Sequence, residues 1–198
     1  MPMPDLPDLH SLSLAQIAQL AADAKLPPVD KWNPAHCGHS GMRIARDGTW
    51  FHEGSPIGRE AMVRLFSTIL RREPDGSFVL VTPVEKLDID VEDAPFQAVE
   101  MKAEGEGPEA RLAFRLNTGD LVTAGPDHPL RFDADADGES LRPYLLVRPG
   151  LEALVARPVY YELAERAISG PGAGADPNAN GAPGIWSDGA FFPLPVPA

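Results

Sequence analysis

The segment F-V-L-V-T-P at residues 78–83 recurs as Y-L-L-V-R-P at residues 144–149. Each copy is a short apolar run that ends at a proline, which is typical of a buried strand followed by a turn. Upstream, Asp47-Gly48 with Gly54 corresponds loosely to Gly119-Asp120 with Gly125. These matches indicate an internal duplication, so the sequence predicts an α+β fold of two related small units with mostly antiparallel sheets.

Capping and turn signals define the first elements. Ser13 and Gln16 stand at the two positions of a capping box, which predicts a helix that is terminated before Pro27-Pro28. Asp47-Gly48 is a typical two-residue hairpin turn between two strands. In the helix capped by Ser13, the predicted apolar face consists of Leu14, Ile17, Ala18 and Ala21.

Two further helices are predicted on the same grounds. Ser55-Pro56 fits the N-cap and the first position of a helix whose apolar face would be Met62, Leu65, Phe66 and Ile69. Near the C-terminus, residues 151–156 and 158–168 are both predicted to be helical, with Pro158 forcing a break or a kink between them.

These elements divide the 198 residues into five segments. An aromatic tail that contains Trp186, Phe191 and Phe192 needs burial, so we expect it to dock on the body of the protein or on a neighbouring chain. The linker before it is rich in Gly, Ala and Pro, which is typical of a flexible connection. The predicted segments are an N-terminal helical segment 1–26, a first α+β unit 27–92, a second unit 93–168, the linker 169–184 and the tail 185–198.

The charge distribution excludes several classes of protein. The formal net charge is −12, and residues 91–140 carry 4 basic and 12 acidic groups, a local net charge of −8. Such a surface repels nucleic-acid phosphates. No secretory signal and no apolar run long enough to span a bilayer is present. Cys37 is the only cysteine and excludes an internal disulfide. We therefore expect a cytoplasmic protein without general nucleic-acid or membrane binding.

A candidate anion site lies at the start of the second predicted helix. A helix N-terminus presents unpaired N–H groups and the positive end of the helix dipole. Ser55 would cap this helix and Arg59 would lie in its first turn, where a cation is unfavourable unless it meets an anion. Arg43, on the neighbouring predicted strand, would face the same place, with Trp50 and His52 offering a stacking surface.

The alternative is a purely structural one, in which Arg59 pairs with Glu53 or Glu60. If an anion does bind at the start of this helix, Arg148 would reach it from the second unit, and Glu85 would orient an arginine or a ribose-like hydroxyl. Arginine suits this role because its planar guanidinium binds oxyanions through two hydrogen bonds.

Two metal-like patterns fail on spacing. His36-Cys37-Gly38-His39 offers three possible metal ligands, but no second cluster completes a tetrahedral site. Residues 133–138 begin like a calcium loop, but Tyr144 stands where the bidentate Glu is required. We expect neither a metal nor a cofactor.

Three phrases are distinctive when taken together. They are P-P-V-D-K-W-N-P-A-H-C-G at 27–38, M-R-I-A-R-D-G-T-W-F-H-E-G-S-P-I-G-R at 42–59, and V-T-P-V-E-K-L-D-I-D-V-E-D-A-P-F at 81–96. With later segments at 143–148, 151–157 and 186–194, the chain resembles the bacterial family catalogued as domain of unknown function 1285. The resemblance covers roughly residues 25–194.

The resemblance implies two related α+β units, the second of them similar to pleckstrin-homology-like folds. It also implies a ligand site in the cleft between the units, for a nucleotide-like molecule in signalling. It supplies no catalytic residues. Departures include His39, where many relatives have an acidic residue, and the long glycine-rich insertion before Ile185.

The sequence thus favours a binding or signalling module that holds a small anionic ligand, a nucleotide-like one included, between its units. A structural or adaptor protein that uses its aromatic tail as a partner contact is the alternative. A hydrolase with a site around His52 and Glu53 is less favoured. The oligomeric state stays open, a homo-oligomer included.

Overall fold

The computed structural model describes residues 7–135, 140–169, 173–175 and 182–195. In these residues the strands form two six-stranded sheets, which we call sheets A and B, and a three-stranded sheet C. Three α-helices accompany them, and the fold is α+β with mostly antiparallel strand pairing, as predicted. The helices are α1 Leu14–Asp23, α2 Glu60–Thr68 and α3 Arg157–Ser169.

Sheet A consists of two antiparallel meanders that meet along one parallel pair of strands. The first meander is β1 His36–Ile44, β2 Trp50–His52 and β3 Ser55–Pro56. The second is β4 Leu70–Arg72, β5 Phe78–Val81 and β6 Lys86–Val91. The parallel contact joins β1 to β6, which gives the strand order β3-β2-β1-β6-β5-β4.

Sheet B repeats this topology. Its meanders are β7 Phe96–Glu104, β8 Arg111–Leu116 and β9 Leu121–Thr123, then β10 Leu130–Ala134, β11 Leu141–Arg148 and β12 Leu151–Val155. Again the first and the last strands pair in parallel, β7 with β12. The strand order is β9-β8-β7-β12-β11-β10, so each strand of sheet A has a counterpart in sheet B.

This correspondence confirms the duplication that the repeated segment predicts. The copy F-V-L-V lies on β5 and the copy Y-L-L-V lies on β11, and these are equivalent strands of the two sheets. The looser match of Asp47-Gly48 with Gly119-Asp120 does not join equivalent turns. Asp47-Gly48 connects β1 to β2, whereas Gly119-Asp120 connects β8 to β9, which is the counterpart of the β2–β3 turn.

Sheet B is curled into a half-barrel and is followed by α3. The two sheets share one hydrophobic core, in which Trp50, Phe96 and Phe114 are almost fully buried. Each such side chain contributes on the order of 1.5–3 kcal/mol of hydrophobic stabilisation. Because the core is continuous, the two units pack against each other through apolar contacts.

The second helix does not begin at Ser55-Pro56, as the sequence predicts. Glu53 and Gly54 have positive φ values of 49° and 80°, as a tight hairpin turn requires. The chain therefore reverses, and Ser55-Pro56 pairs with β2 as strand β3. Pro56 is tolerated there because β3 is an edge strand. The helix begins later, at Glu60, with Arg59 at its N-cap.

The helix predicted over residues 151–156 is also wrong. This segment is strand β12, which pairs with β11 on one side and with β7 on the other. Its buried residues alternate along the chain: Leu151, Ala153 and Val155. The tertiary pairing overrides the helix propensity of Leu, Glu and Ala. Pro158 then lies in the first turn of α3, where proline is compatible with a helix.

The N-terminal segment packs on sheet B through a small cluster of its own. The capping box at Ser13 and Gln16 is present, as predicted. Leu9 and Ile17 are fully buried against Ala113 and form a cluster separate from the main core. Lys102 reaches this segment from β7, where its ammonium group donates to the carbonyl oxygen of Leu12.

The aromatic tail packs on the body of the same chain. Sheet C contains β13 Ala173–Ala175, β14 Pro183–Ser187 and β15 Ala190–Pro193. Ile185 and Phe192 belong to the main core. Ser187 is fully buried, accepts a hydrogen bond from the backbone N–H of Leu112 and donates one to the carbonyl oxygen of Ala124. The predicted linker 169–184 lies largely outside the described residues.

Candidate functional site

The structure separates the residues predicted to converge on an anion. Arg43 is directly opposite Phe51 across the β1–β2 pair, whereas Trp50 is opposite Ile44 and His52 is opposite Met42. Directly opposed residues share a face of the sheet, and successive residues alternate between faces. Arg43 therefore projects from one face of sheet A, while Trp50 and His52 project from the other.

The charge of Arg43 is already compensated. Its guanidinium forms an ion pair with Glu92 and lies 4.3 Å above the ring of Phe51. The second carboxylate oxygen of Glu92 accepts the backbone N–H of Arg46 at 2.9 Å. That backbone bond, together with the charge of Arg43, lowers the pKa of the Glu92 carboxyl. These contacts fix Arg43 as a partner of Glu92.

Trp50 is a core residue. It is 1% exposed, and its ring stacks on Phe66 with centroids 6.5 Å apart. Its indole Nε1 is buried without a hydrogen-bond partner among the described residues. Trp50 lines a small cavity of about 150 Å³ with residues of α2 and Asn117. Sites for small molecules are typically 300–1,000 Å³, so this cavity is too small for a nucleotide.

The remaining residues of the first unit are dispersed on the surface. His52, Ser55, Arg59 and Glu85 are all exposed. Within the described part of the chain, the side chains of Arg59 and His52 form neither an ion pair nor a hydrogen bond. His52 consequently lacks the carboxylate partner that a hydrolase site would need in this conformation.

Arg148 has a different environment. It ends β11, and its Nη2 donates to the backbone carbonyl oxygen of Ser67 at 2.7 Å. This carbonyl belongs to the last turn of α2, where helix carbonyls lack partners within the helix and the dipole favours a cation. Burial lowers the pKa of the Arg148 guanidinium, and Asp120 and Asp30 oppose this effect.

Arg148 lines a cavity of about 590 Å³ between α1 and sheet B. Of the seven predicted site residues, it is the only one at this cavity. Its Nε and Nη1 groups have no hydrogen-bond acceptor among the described residues. Its walls come from the N-terminal segment, from β9 and β11, and from the turns that precede β9 and β10. The apolar residues of these walls are Ala18, Leu20, Ala21, Ala24, Leu26, Leu121, Val122 and Val147.

Three other charged groups at the cavity form hydrogen bonds or ion pairs. Arg115 donates to Glu100 at 2.9 Å and also to the carbonyl oxygen of Pro7. Asp188 pairs with Arg111 at 3.2 Å. The carboxylate of Asp120 accepts the hydroxyl hydrogen of Thr118. Among the described residues, Arg148 thus differs from Arg115 in that it forms no ion pair with a carboxylate.

A more polar groove of about 520 Å³ lies beside β5 and β6. Its charges are satisfied internally: His36 lies 2.8 Å from Asp88, and Lys86 lies 3.3 Å from Glu73. His39 approaches Asp90 instead, so the histidines of the metal-like motif diverge. Among the described residues, no three His, Cys, Asp or Glu side chains are grouped as metal ligands. Part of the calcium-like segment 133–138 lies outside the described residues.

Sequence inspection missed most of this cavity. Arg115 and His128 show no local motif, because Arg115 lies on β8, His128 lies between β9 and β10, and only the fold of the second unit brings them to one cavity. One signal was available: Ala18 and Ala21 were assigned to the apolar face of α1, yet they do not pack in the core as Ile17 does. Small side chains on an otherwise apolar helix face leave room beside the helix.

Two repeated six-stranded sheets with a shared core define the class of this protein. It is a duplicated α+β protein whose N-terminal helix covers a cavity on the second unit.

The comparisons with known proteins identify its family. Residues 27–94 match the N-terminal domain and residues 95–194 the C-terminal domain of the family described as domain of unknown function DUF1285. The chain belongs to this family. No curated protein matches it. Neither family match includes α1.

Two solved structures of the same family are similar to it. A DUF1285 family protein from Silicibacter pomeroyi DSS-3 is 46% identical, with a TM-score of 0.76, over 90% of this chain and 93% of that one. A DUF1285 family protein from Shewanella baltica OS155 is 27% identical, with a TM-score of 0.50, over 64% of this chain and 91% of that one.

In the part of the chain that the structure describes, no helix is both long and apolar enough to cross a membrane.

Proposed function

We propose that this protein is a binding module that holds a small organic anion in the cavity between α1 and sheet B, with Arg148 as the anchor. The carrying observation is the partial pairing of the Arg148 guanidinium. One Nη group is fixed by the carbonyl oxygen of Ser67, and the Nε and Nη1 donors have no acceptor among the described residues. A carboxylate or a single phosphate would supply two acceptors to such a group.

The fixed position of Arg148 favours binding. Its guanidinium lies 5.3 Å from the ring centroid of Phe96, a fully buried residue, and it is hydrogen-bonded to α2. An arginine held by such contacts loses less conformational entropy when an anion binds than a freely rotating surface arginine does. By contrast, Arg59 is exposed and is held by no side-chain contact among the described residues.

The charge around the cavity favours an anion of low charge. Asp120, Asp127 and Asp188 all lie at the cavity, and among the described residues only Asp188 forms an ion pair with a cation. A nucleotide polyphosphate would face repulsion from these carboxylates. A nucleotide-like ligand therefore fits this site best as a monophosphate.

The adaptor hypothesis requires the aromatic tail to be available to a partner. Ile185 and Phe192 are buried in the main core, and Ser187 is hydrogen-bonded within it. Releasing the tail would expose apolar surface and leave buried polar groups unpaired. These contacts favour a structural role for the tail over a role in partner binding.

A thermal-shift screen tests the proposal. The panel contains organic monocarboxylates, nucleoside monophosphates, nucleoside triphosphates and inorganic phosphate, each measured with the wild-type protein and with Arg148→Gln and Arg59→Gln. A ligand at 100 times its Kd stabilises a protein by about 2.7 kcal/mol. We expect the organic monocarboxylates and the nucleoside monophosphates to raise the Tm of the wild type and of Arg59→Gln, and to lose this effect in Arg148→Gln. Equal shifts in wild type and Arg148→Gln would overturn the assignment.

A further inference from the structure

The cavity at Arg148 has an apolar wall that a small polar anion would leave unused. The N-terminal segment contributes five apolar side chains to the cavity: Ala18, Leu20 and Ala21 of α1, and Ala24 and Leu26 after it. Leu121 and Val122 of β9 also line the cavity, and of these two Leu121 packs against the cluster of Leu9 and Ile17. A ligand with a charged group alone would contact Arg148 and leave this surface in water.

We infer that the ligand is an amphiphile, with a single anionic group at Arg148 and an apolar body that lies between α1 and β9. This inference rests on the proposed function and adds the chemical class of the ligand. A cavity of about 590 Å³ is within the range for drug-sized molecules, which sites of this kind bury largely against apolar side chains.

The exposed leucines of the N-terminal segment support this class of ligand. Leu20 and Leu26 each keep 45% of their surface exposed, although both lie at the cavity. Large apolar side chains at a concave surface gain hydrophobic stabilisation when a ligand covers them. Polar contacts of the cavity, by contrast, lie on the side of sheet B, where Arg148, Asp120 and His128 are found.

The attachment of α1 allows such a ligand to enter. Its only fully buried side chain is Ile17, which packs with Leu9 and Ala113 in a cluster apart from the main core. A helix held by so few buried contacts opens more readily than the elements of the main core. The apolar body of a bound amphiphile would add contacts to both α1 and β9, so that binding and the docking of α1 stabilise each other.

Two fluorescent probes that differ only in charge test the inference. 1-Anilinonaphthalene-8-sulfonate has an apolar aromatic body and one sulfonate, and N-phenyl-1-naphthylamine has the same body without the sulfonate. We expect both to bind the full-length protein, the sulfonate more tightly. Arg148→Gln should weaken the sulfonate roughly tenfold, the effect of losing a charged hydrogen bond. The neutral probe should bind this variant unchanged, which also shows that the cavity is intact.

A matched pair of variants tests the apolar wall. Ala21 lines the cavity, whereas Ala22 is exposed and does not. Glutamine is a good helix former, so Ala21→Gln and Ala22→Gln should both keep α1. We expect Ala21→Gln to weaken both probes at least about threefold, because it places a polar group on the surface that the aromatic body covers. Ala22→Gln should leave both unchanged.

The outcomes separate the two claims. The neutral probe could fail to bind, and the affinity for the sulfonate could depend on Arg148 but not on Ala21. This result would overturn the inference that the ligand is an amphiphile and would leave the proposed anion site in place. Sulfonate binding that is unchanged in Arg148→Gln would overturn the proposed function. Equal losses in Ala21→Gln and Ala22→Gln would show binding elsewhere on α1 and overturn the inference.

Discussion

The Nη2 group of Arg148 lies 2.7 Å from the backbone carbonyl oxygen of Ser67. This hydrogen bond joins the end of β11 in the second unit to the last turn of α2 in the first. Because the free carbonyls of a helix C-terminus attract cations, the first unit holds in place the arginine that the second unit presents to the cavity. The anion site of one unit thus depends on the packing of both.

The packing between the units predicts the effect of a single methyl group. Gly48 has a φ of 85°, and a Cβ atom there would lie 2.7 Å from Cγ of Gln97 and 2.9 Å from Nδ2 of Asn117, both in the second unit. Gly54 has a similar φ of 80° with open space around its Cβ position. It therefore provides a matched control for the backbone effect alone.

We expect Gly54→Ala to destabilise the protein by about 1 kcal/mol, the cost of a left-handed backbone with a side chain. Gly48→Ala should cost roughly 1–3 kcal/mol more, because the added atom overpacks the contact between the units. Urea unfolding measures both free energies. If both variants lost the same free energy of unfolding, the contact of Gly48 with Gln97 and Asn117 would be absent, or these two side chains would move aside without cost.

The docking of the aromatic tail depends on one buried hydroxyl group. Ser187 Oγ accepts from the N–H of Leu112 at 2.9 Å and donates to the carbonyl oxygen of Ala124 at 2.7 Å. Ser187→Ala leaves two buried polar groups unpaired, so we expect a loss of about 2–4 kcal/mol in the free energy of unfolding. Ser169 is exposed, and Ser169→Ala is the control, with an expected change within about 0.5 kcal/mol. A similar small change for Ser187→Ala would contradict the docked tail.

Glu73 predicts a pH dependence of stability. Burial acts to raise its pKa, but hydrogen bonds from Arg71 and Lys86 outweigh this effect and lower it below the ordinary value of 4.5. As the pH falls, the unfolded chain therefore takes up the proton first. The contribution of Glu73 to stability is complete above the unfolded-state pKa and is lost as the pH falls through the lower folded-state pKa.

Comparing the wild type with Glu73→Gln isolates this contribution. At pH 7 we expect the variant to be less stable by about 1–2 kcal/mol, since two charged hydrogen bonds lose their strength. The difference should shrink steadily below pH 4.5. Chemical unfolding at several pH values measures it, and a difference that stays constant down to pH 3 would be inconsistent with a paired carboxylate.

Much of this fold could be predicted from the sequence, and the reasons for the failures are physical. The repeat of residues 78–83 at residues 144–149 identifies two equivalent strands. It could be recognised because a short apolar run that ends at a proline is a pattern contained within a few consecutive residues. The prediction of a helix start at Ser55-Pro56 failed, because the same two residues are also compatible with an edge strand after the Glu53-Gly54 turn. Residues 151–155 misled because their helix propensity is overridden by pairing with strands far away in the sequence.

The candidate site was less predictable. Arg148 was named from its residue type, but its partner Ser67 is 81 residues away and belongs to the other unit. Arg43 was expected beside Trp50, and the alternation of side chains along β2 places them on opposite faces of sheet A. Which arginines stay unpaired depends on the three-dimensional positions of all the carboxylates, which short motifs do not encode.

The most direct test of the central claim is a crystal structure of the protein soaked with 4-bromobenzoate, a monoanion with an apolar ring and an anomalous scatterer. We predict a bromine peak between α1 and β9, near Ala21 and Val122, with the carboxylate hydrogen-bonded to Arg148 and the peak absent from Arg148→Gln crystals. An empty cavity at saturating concentration, or a bromine peak at Arg59 or beside Trp50 instead, would contradict the account.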